Sequence, residues 1–323
     1  MKTRTRSLAR SLAGSLVVIA ATALAVTATV TAHAEGDARH VRGRGGIAAA
    51  RTVGGPKAWG SSRALLTYHG GPVMRSNSTY AIFWAPSGST WQSGYRGAIK
   101  TYFADVAADS GGTQNVYSTE TQYYDSTGHI RYRSTFAGSY VDTAAFPRNG
   151  CPPYGGMSAC LTDTQQIAEV HRVTTLLGLP EDGTHTYFLF MPKSVGSCFD
   201  AAGTTCAFSY YCAYHGYDGS LLYASMPYAE TVDAACGLQG PDANDADATI
   251  NTASHEHREM INDPFLTAWF DNKGYEGSDK CAWTFGTTTS TSSGPYNQTI
   301  NGHHYLLQQE WSNASRGCVQ RGR

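Results

Sequence analysis

Apolar residues recur at helical intervals in one early segment of the chain. Within residues 91–108 they are three, one and three positions apart, at Ile99, Tyr102, Phe103 and Val106. Residues at these intervals fall on one face of an α-helix. The pattern therefore predicts a helix that packs this face against the rest of the protein.

A second helix is predicted from the residues at its two ends. Thr162 or Asp163 is expected to be its N-cap, because a short polar side chain there accepts a hydrogen bond from a backbone N–H of the first turn. Gly178 and Pro180 follow the run and are typical of a helix end. The helix is therefore expected to reach Leu177.

A third helix is predicted between an acidic beginning and a proline. Asn244 or Asp245 is expected to be the N-cap, and acidic groups at this end interact favourably with the helix dipole. Asp263 precedes Pro264, and a proline disfavours helical geometry in the residue before it. The helix is therefore expected to span residues 245–262.

Short apolar runs bounded by turn residues predict the strands. Five such runs are Leu65–His69, Tyr80–Trp84, Asn115–Tyr124, His129–Phe136 and Tyr187–Met191. The third and fourth runs flank a hairpin signal at Asp125-Ser126-Thr127-Gly128, and Asn301-Gly302 marks another hairpin within residues 295–311. The cysteine-rich stretch 193–243 is interpreted as an irregular excursion held by disulfides.

Together these elements predict a single α+β domain. A mixed sheet built from the five strands is expected to pack against the helices near 95–108 and 163–177. The helix over 245–262 is expected to lie across this sheet, and the hairpin at 295–311 completes the C-terminal part.

The N-terminus has the three regions of a secretory signal peptide. The first fifteen residues include four basic and no acidic side chains, the next fifteen are apolar apart from three threonines, and Ala32-His33-Ala34 has the pattern of a cleavage site. We therefore predict a signal peptide over residues 1–34 and a secreted, extracellular protein. Residues 35–62 are expected to form a flexible mature tail, because they are rich in glycine and lack an apolar period. The domain is expected to span residues 63–323.

The low charge of the chain excludes some classes of partner. Charged residues make up 15% of the sequence, and the formal net charge is −1. Loss of residues 1–34 would leave 20 basic and 25 acidic residues. A mildly acidic protein is not expected to bind nucleic acid, and no further apolar run is long enough to predict a membrane partner after cleavage. We expect a monomer.

All eight cysteines follow the predicted signal peptide. An even number of cysteines in an exported protein indicates disulfides. Pairing of nearest neighbours predicts Cys151–Cys160, Cys198–Cys206, Cys212–Cys236 and Cys281–Cys318. The alternative is a metal site with Cys212 and His215, but the sequence has no CxxC pair to support it.

Candidate chemistry lies in the third helix, in the sequence His255-Glu256-His257-Arg258-Glu259. Residues four apart share a helix face, so His255 and Glu259 are expected to converge on one divalent metal ion. Glu256 then lies next to the ion and is expected to be the catalytic general base and acid, whereas His257 points away. The sequence matches the HExxH motif of metallopeptidases, with glutamate in place of the second histidine. The helix is therefore interpreted as a zincin-like metal helix.

A third ligand is expected from Glu276 or Asp279, which both follow the helix. Asp279 stands two residues before Cys281, whose disulfide is expected to hold this segment near the helix. His215 is an alternative ligand from the cysteine-rich stretch. One imidazole with two carboxylates suits calcium or manganese as well as zinc, the metal expected for hydrolysis. The competing interpretation is a solvated helix face that carries an ordinary charged pair.

Several stretches resemble the phosphate-induced protein (Exordium) family. They are Leu65-Leu66-Thr67-Tyr68-His69-Gly70-Gly71-Pro72-Val73, Tyr80-Ala81-Ile82-Phe83-Trp84, Ser254-His255-Glu256, the segment 263–270 and the segment 276–281. The resemblance covers about residues 65–320 and implies a single-domain extracellular protein. It also implies His255, Glu259 and one of Glu276 or Asp279 as metal ligands. It does not imply an established reaction.

Two classes of function follow. The first is a secreted metal-dependent hydrolase, peptidase-like, whose substrate is a peptide, a protein or a cell-wall polymer. The second is a non-catalytic extracellular protein that binds cell-wall polymer or a receptor and contains a structural metal. Metal content, measured together with activity on a general protein substrate, distinguishes the two.

Overall fold

A six-stranded mixed β-sheet forms the centre of the fold in the computed structural model, which describes residues 47–51 and 63–322. Its strands, in chain order, are β1 (Ile47–Ala49), β2 (Asn77–Trp84), β3 (Ser134–Asp142), β4 (His185–Phe190), β5 (Tyr211–Asp218) and β6 (Leu221–Met226). Their spatial order is β1-β5-β6-β4-β2-β3. The pairs β3/β2, β2/β4 and β4/β6 are parallel, whereas β6/β5 and β5/β1 are antiparallel.

Helices pack against this sheet. The α-helices are α1 (Tyr95–Ala108), α2 (Asp163–Leu177), α3 (Asp233–Cys236), α4 (Ala246–Asn262) and α5 (Gly277–Lys280). Two 3₁₀ helices accompany them, Val116–Gln122 and Ala229–Val232. The predicted α+β class, with a mixed sheet and packed helices, is confirmed.

The first predicted helix is confirmed as α1, which begins at Tyr95. The four apolar residues of its predicted face are at most 1% exposed. Phe103 packs against Phe188 of β4 with ring centroids 4.8 Å apart. The spacing of these apolar residues therefore correctly predicted the helix face that packs against the sheet.

The second predicted helix is confirmed as α2, with Thr162 rather than Asp163 as its N-cap. Thr162 Oγ1 accepts a hydrogen bond from the backbone N–H of Gln165, and Gln165 Oε1 accepts one from the backbone N–H of Thr162. This reciprocal arrangement is a capping box. Gly178 ends the helix with a φ of 64°, a left-handed conformation that glycine adopts without strain.

The third predicted helix is confirmed as α4, and all of its residues are buried. It lies against β5, β6 and α1. Asp245 occupies the N-cap position without a capping hydrogen bond from its side chain, whereas Asn244 Oδ1 accepts a hydrogen bond from the backbone N–H of Ala246. Because the helix has no solvated face, its charged residues must find partners inside the protein.

The expected strand over Asn115–Tyr124 is wrong, because most of this segment forms the 3₁₀ helix Val116–Gln122. Asn115 Oδ1 accepts a hydrogen bond from the backbone N–H of Tyr117 and so favours a helical start over an extended chain. The apolar run alone did not distinguish a buried helical turn from a strand.

The hairpin signal that follows is confirmed, but its strands are short. Tyr124–Asp125 pairs with Gly128–His129 outside the central sheet. The strand expected at His129–Phe136 begins five residues later, as β3, and belongs to the central sheet.

The interpretation of residues 193–243 as an irregular excursion is wrong. This stretch contains β5 and β6, and the strand Val195–Cys198, which pairs with Ala159–Thr162. β6 is buried on both faces and β5 is buried over most of its length, so neither strand alternates between apolar and polar residues. Tyrosine, glycine and cysteine also interrupt their apolar runs.

The strand expected at Leu65–His69 lies outside the central sheet. Only Thr67–Tyr68 is extended and paired, and its partner is Trp269–Phe270. Of the five strands expected to form the sheet, those near 80 and 187 lie in the central sheet as predicted. The strand expected at His129–Phe136 also lies there, but it begins at Ser134, as β3.

The C-terminal part consists of short antiparallel pairs. These are Thr289–Ser290 with Pro295–Tyr296, Gln298–Ile300 with His303–Tyr305, and Glu310–Ser312 with Gly317–Val319. Asn301 and Gly302 both have positive φ, 49° and 89°, as a two-residue hairpin turn requires. The predicted hairpin is therefore confirmed.

All four predicted disulfides are confirmed: Cys151–Cys160, Cys198–Cys206, Cys212–Cys236 and Cys281–Cys318. The described chain contains no free cysteine. The Cys/His metal site considered as an alternative is thereby wrong, because Cys212 is bonded to Cys236.

The predicted signal peptide, residues 1–34, lies outside the described residues. Of the expected tail, residues 47–51 are described, and they form β1 and its continuation along the edge of β5. Among the described residues, no helix is long and apolar enough to cross a membrane.

Candidate metal centre

Two of the expected ligands face each other on one side of α4. His255 and Glu259 are one helical turn apart, and His255 Nε2 lies 3.2 Å from Glu259 Oε1. Both side chains are fully buried. The shared face is therefore present, and the alternative of a solvated helix face is wrong.

Asp279 brings a further carboxylate to this pair from α5. Its Oδ1 lies 3.4 Å from His255 Nε2, and its backbone N–H donates a hydrogen bond of 2.9 Å to Glu259 Oε1. One ligand atom from each of the three residues lies within 4.8 Å of the others. The disulfide of Cys281, which directly follows α5, ties this segment to the C-terminal strand pair.

A second group lies on the other side of Glu259 and contains His215 of β5. His215 Nδ1 lies 3.2 Å from Glu256 Oε2 and 3.7 Å from Glu259 Oε2. Its Nε2 lies 3.9 Å from Glu276 Oε1. Glu259 thus presents one oxygen to His255 and the other to His215. Glu276, one of the two acids expected to be the third ligand, lies beside His215.

We call these residues the carboxylate–histidine cluster: His215, His255, Glu256, Glu259, Glu276 and Asp279. Burial raises the pKa of Glu276 and of Asp279 well above the usual value, and the nearby Glu259 carboxylate adds to both shifts. Burial also opposes ionisation of Glu259, but the adjacent His255 outweighs this and lowers its pKa. Four carboxyl groups thus face two imidazoles away from water. The excess negative charge needs protons or a cation to neutralise it.

The donor atoms of the cluster fit a divalent ion. Within the described part of the chain, the atoms that have no hydrogen-bond partner include His215 Nε2, His255 Nε2, Glu259 Oε2, Asp279 Oδ2 and both carboxylate oxygens of Glu276. Buried polar atoms are nearly always hydrogen-bonded, so such a concentration of unsatisfied ones calls for protons, water or an ion between them. Imidazole nitrogen combined with carboxylate oxygen suits zinc or manganese, and the oxygens alone suit calcium.

Gln308 sets the orientation of the His255 ring. Its side-chain amide nitrogen lies 2.8 Å from His255 Nδ1 and donates a 2.9 Å hydrogen bond to the carbonyl of Ser278. A neutral imidazole that accepts at Nδ1 carries its proton on Nε2, towards the carboxylates. An ion held at Nε2 would place the ring proton on Nδ1, and the Gln308 amide oxygen would then have to face Nδ1 to accept it.

His257 lies on a different side of α4, as predicted. Its Nδ1 is 3.0 Å from the Tyr117 hydroxyl and its Nε2 is 2.9 Å from Asn77 Oδ1. Burial, with the nearby Arg258 charge, lowers its pKa to about 3. His257 is therefore a neutral histidine of the core, and it links α4 to β2.

A second buried polar network lies next to the cluster. Arg258 pairs with Glu310, which also accepts a hydrogen bond of 2.6 Å from the Ser278 hydroxyl. Sequence reasoning missed Glu310 and Gln308, because both come from a distant C-terminal segment. The only available signal was Arg258 itself, since a charged residue on a helix that is buried all round requires an acidic partner.

Comparisons with known proteins give one coarse result. No family model matches the chain, and no solved structure matches it. The chain is 23% identical over 301 residues to Protein EXORDIUM-like 3 from Arabidopsis thaliana. The matched region covers 80% of this chain and 84% of that protein. The similarity therefore extends over most of both proteins at low identity.

Proposed function

We propose that the protein is a secreted, Exordium-like, metal-dependent hydrolase that acts on polypeptides. The observation that carries this proposal is the convergence of His255, Glu259 and Asp279 at one fully enclosed position, with Glu256 beside it on the same helix. The four disulfides are consistent with secretion. The similarity to an Exordium-like protein supports the family at the coarse level only.

Different residues of the chain would bind the metal ion and transfer the proton. His255, Glu259 and Asp279 would hold the ion, and Gln308 would orient the imidazole. A bound divalent ion supplies Lewis-acid polarisation of a water and of a carbonyl oxygen. We propose zinc for this role; calcium and manganese remain the alternatives that the donor set permits.

Glu256 would transfer a proton from the attacking water to the leaving group. Its Oε2 lies 3.2 Å from His215 Nδ1, so the imidazole of His215 fixes this carboxylate beside the three ligands. In hydrolysis Glu256 would take a proton from the attacking water and return it to the leaving amine. His215 is then a positioning residue for Glu256.

The test separates binding from catalysis in two variants of the full chain. Glu256→Gln keeps a polar side chain of the same size, so the metal content should be retained while turnover falls about 100-fold or more. Glu259→Ala removes the carboxylate that is shared by both halves of the cluster, so the metal itself should be lost. Metal content is measured by inductively coupled plasma mass spectrometry, and turnover with labelled casein.

The matched control is Glu181→Gln, which changes a carboxylate that contacts His171 and Thr174 of α2, and it should alter neither quantity. Equal turnover in wild type and Glu256→Gln would contradict the proposed mechanism. Unchanged metal content in Glu259→Ala would contradict the proposed site.

A second candidate function is supported by the complete burial of the cluster. No member is more than 4% exposed, which suits an ion that stabilises the fold of a non-catalytic extracellular protein. In that case Tyr124, 42% exposed beside Tyr68 and Trp269, belongs to a surface suited to cell-wall polymer. A metal that resists chelation and supports no turnover would favour this function.

A further inference from the structure

The strand β1 occupies the outer edge of the central sheet beside the carboxylate–histidine cluster. It pairs antiparallel with β5, with Ile47 opposite Tyr214 and Ala48 opposite Ala213. His215, a member of the cluster, directly follows Tyr214. β1 also lies against α4 and α5, which carry the other members of the cluster. It therefore lies at the edge of β5, next to the helices that carry His255, Glu259 and Asp279.

Two further contacts continue this pairing beyond the strand. The backbone N–H of Ala50 donates to the carbonyl of Tyr210 over 3.1 Å, and that of Arg51 donates to the carbonyl of Ala235 over 2.8 Å. The Arg51 guanidinium lies 4.0 Å from the centre of the Trp283 ring. Residues 50 and 51 are thus held by backbone hydrogen bonds, by the burial of Ala50 and by the cation–π contact of Arg51.

Backbone pairing of this kind is independent of side-chain identity. An extended peptide can add to any open strand edge, because the edge offers free N–H and C=O groups. The sequence Ile47-Ala48-Ala49-Ala50-Arg51 has three small residues in a row.

We propose that residues 47–51 are a tethered occupant of a peptide-binding groove along β5, and that an extended polypeptide replaces them there. This inference rests on the proposed hydrolytic function and names its substrate class as an extended peptide backbone. Displacement of the strand opens the cluster to that peptide. The same displacement explains how a fully enclosed site meets a macromolecular substrate.

The experiment weakens the strand in the full chain without touching the cluster. Ala50→Pro removes the N–H that donates to Tyr210, whereas the control Ala50→Ser retains it. Hydrogen exchange is followed in the proteolytic fragment that covers β5. Binding of a fluorescein-labelled peptide with the sequence of residues 46–51 is followed by fluorescence anisotropy.

Ala50→Pro should accelerate exchange in β5 about tenfold, since it removes a ladder hydrogen bond and adds a steric clash. It should bind the labelled peptide, and it should cleave casein faster than wild type. Ala50→Ser should behave like wild type in all three measurements. Unchanged exchange in a folded Ala50→Pro protein, or faster exchange without peptide binding, would overturn the inference.

A second variant keeps the test decisive if Ala50→Pro does not fold. Arg51→Ala removes the contact with Trp283 and retains every backbone donor, so it should give a smaller acceleration and weaker peptide binding. Absence of both effects would again overturn the inference. Exchange and peptide binding require neither metal nor turnover. If they respond while casein is not cleaved, the proposed hydrolysis fails and the strand exchange stands.

Discussion

At the scale of single residues, the cluster depends on groups that orient its ligands as much as on the ligands. Gln308 contacts the ring nitrogen of His255 opposite the one that faces Glu259 and Asp279. Such outer contacts fix the ring orientation and tautomer of a metal-binding histidine. Gln308 follows His255 by 53 residues in the sequence, so no local motif could indicate this role.

Replacement of Gln308 should therefore weaken metal binding without removing a ligand. Gln308→Leu keeps the size of the side chain but removes the amide, and we expect metal affinity to fall about 10–100-fold. Affinity is measured by competition with a chromophoric chelator. Gln309→Leu is the neighbouring control and should leave affinity unchanged. Equal affinity in wild type and Gln308→Leu would show that the ring needs no orienting partner.

His257 should affect stability and not the metal. Its two ring nitrogens contact Tyr117 and Asn77, so His257→Ala leaves two buried polar groups without this partner. We expect a loss of about 1–3 kcal/mol in the free energy of unfolding. Urea denaturation measures this loss, and metal content should stay at the wild-type value. Loss of the metal in this variant would place His257 among the ligands.

At the scale of secondary-structure elements, the sequence predicted those whose signals are local. α2 was predictable from its capping residues and its terminal glycine, and α1 from the spacing of its apolar face. The pairing of His255 with Glu259 was predictable for the same reason, since it depends only on helix geometry. Each disulfide likewise joins two cysteines that are consecutive among the cysteines of the sequence.

Elements defined by distant neighbours were not predictable. β5 and β6 lack polar alternation because the structure buries both of their faces, and no local signal reports this. His215 consequently remained one alternative among several until β5 placed it beside Glu256. The same limit applies to β1, which looks like a glycine-rich tail in sequence and is extended only because β5 pairs with it.

His171 of α2 links that helix to two other parts of the fold and should make stability depend on pH. Its Nδ1 and Nε2 each lie 2.9 Å from a carboxylate, of Glu181 and Asp218 respectively. Burial lowers the pKa of His171, but the hydrogen bonds with Asp218 and Glu181 outweigh this and raise it. The folded protein therefore binds the proton more tightly than the unfolded chain does.

The resulting stabilisation is complete below the ordinary histidine pKa and is lost as the pH rises through the raised value in the folded state. We expect wild type to exceed His171→Gln in unfolding free energy by the largest amount near pH 6, and by progressively less up to pH 9. Urea denaturation across this range measures the difference. A difference that does not change with pH would mean that His171 contributes by packing alone.

At the scale of the whole molecule, the longest disulfide loop connects the cluster to the end of the chain. Cys281 directly follows α5, and its partner Cys318 lies 37 residues later in the last strand pair. A disulfide stabilises mainly by restricting the unfolded chain, and more so for longer loops. In the folded state this bond also holds the segment that carries Asp279.

Replacing both cysteines of this bond by serine should cost about 3–4 kcal/mol in unfolding free energy and should also weaken metal binding. The control is the same double replacement at Cys151 and Cys160, which are nine residues apart and not part of the cluster. That control should lower stability but keep metal affinity. Equal metal affinity in the two double variants would show that holding α5 in place does not contribute to metal binding.

The cluster takes all of its members, and the orienting Gln308, from residues 215–308 of the 323-residue chain. If the protein is exported N-terminus first, as proposed, β2, β3 and β4 would reach the outside before the first of these side chains. Gln308 and Cys318 would follow after every member of the cluster. An ion bound there would therefore come from the external medium late in export, and the supply of metal outside the cell would limit how much of the protein becomes complete.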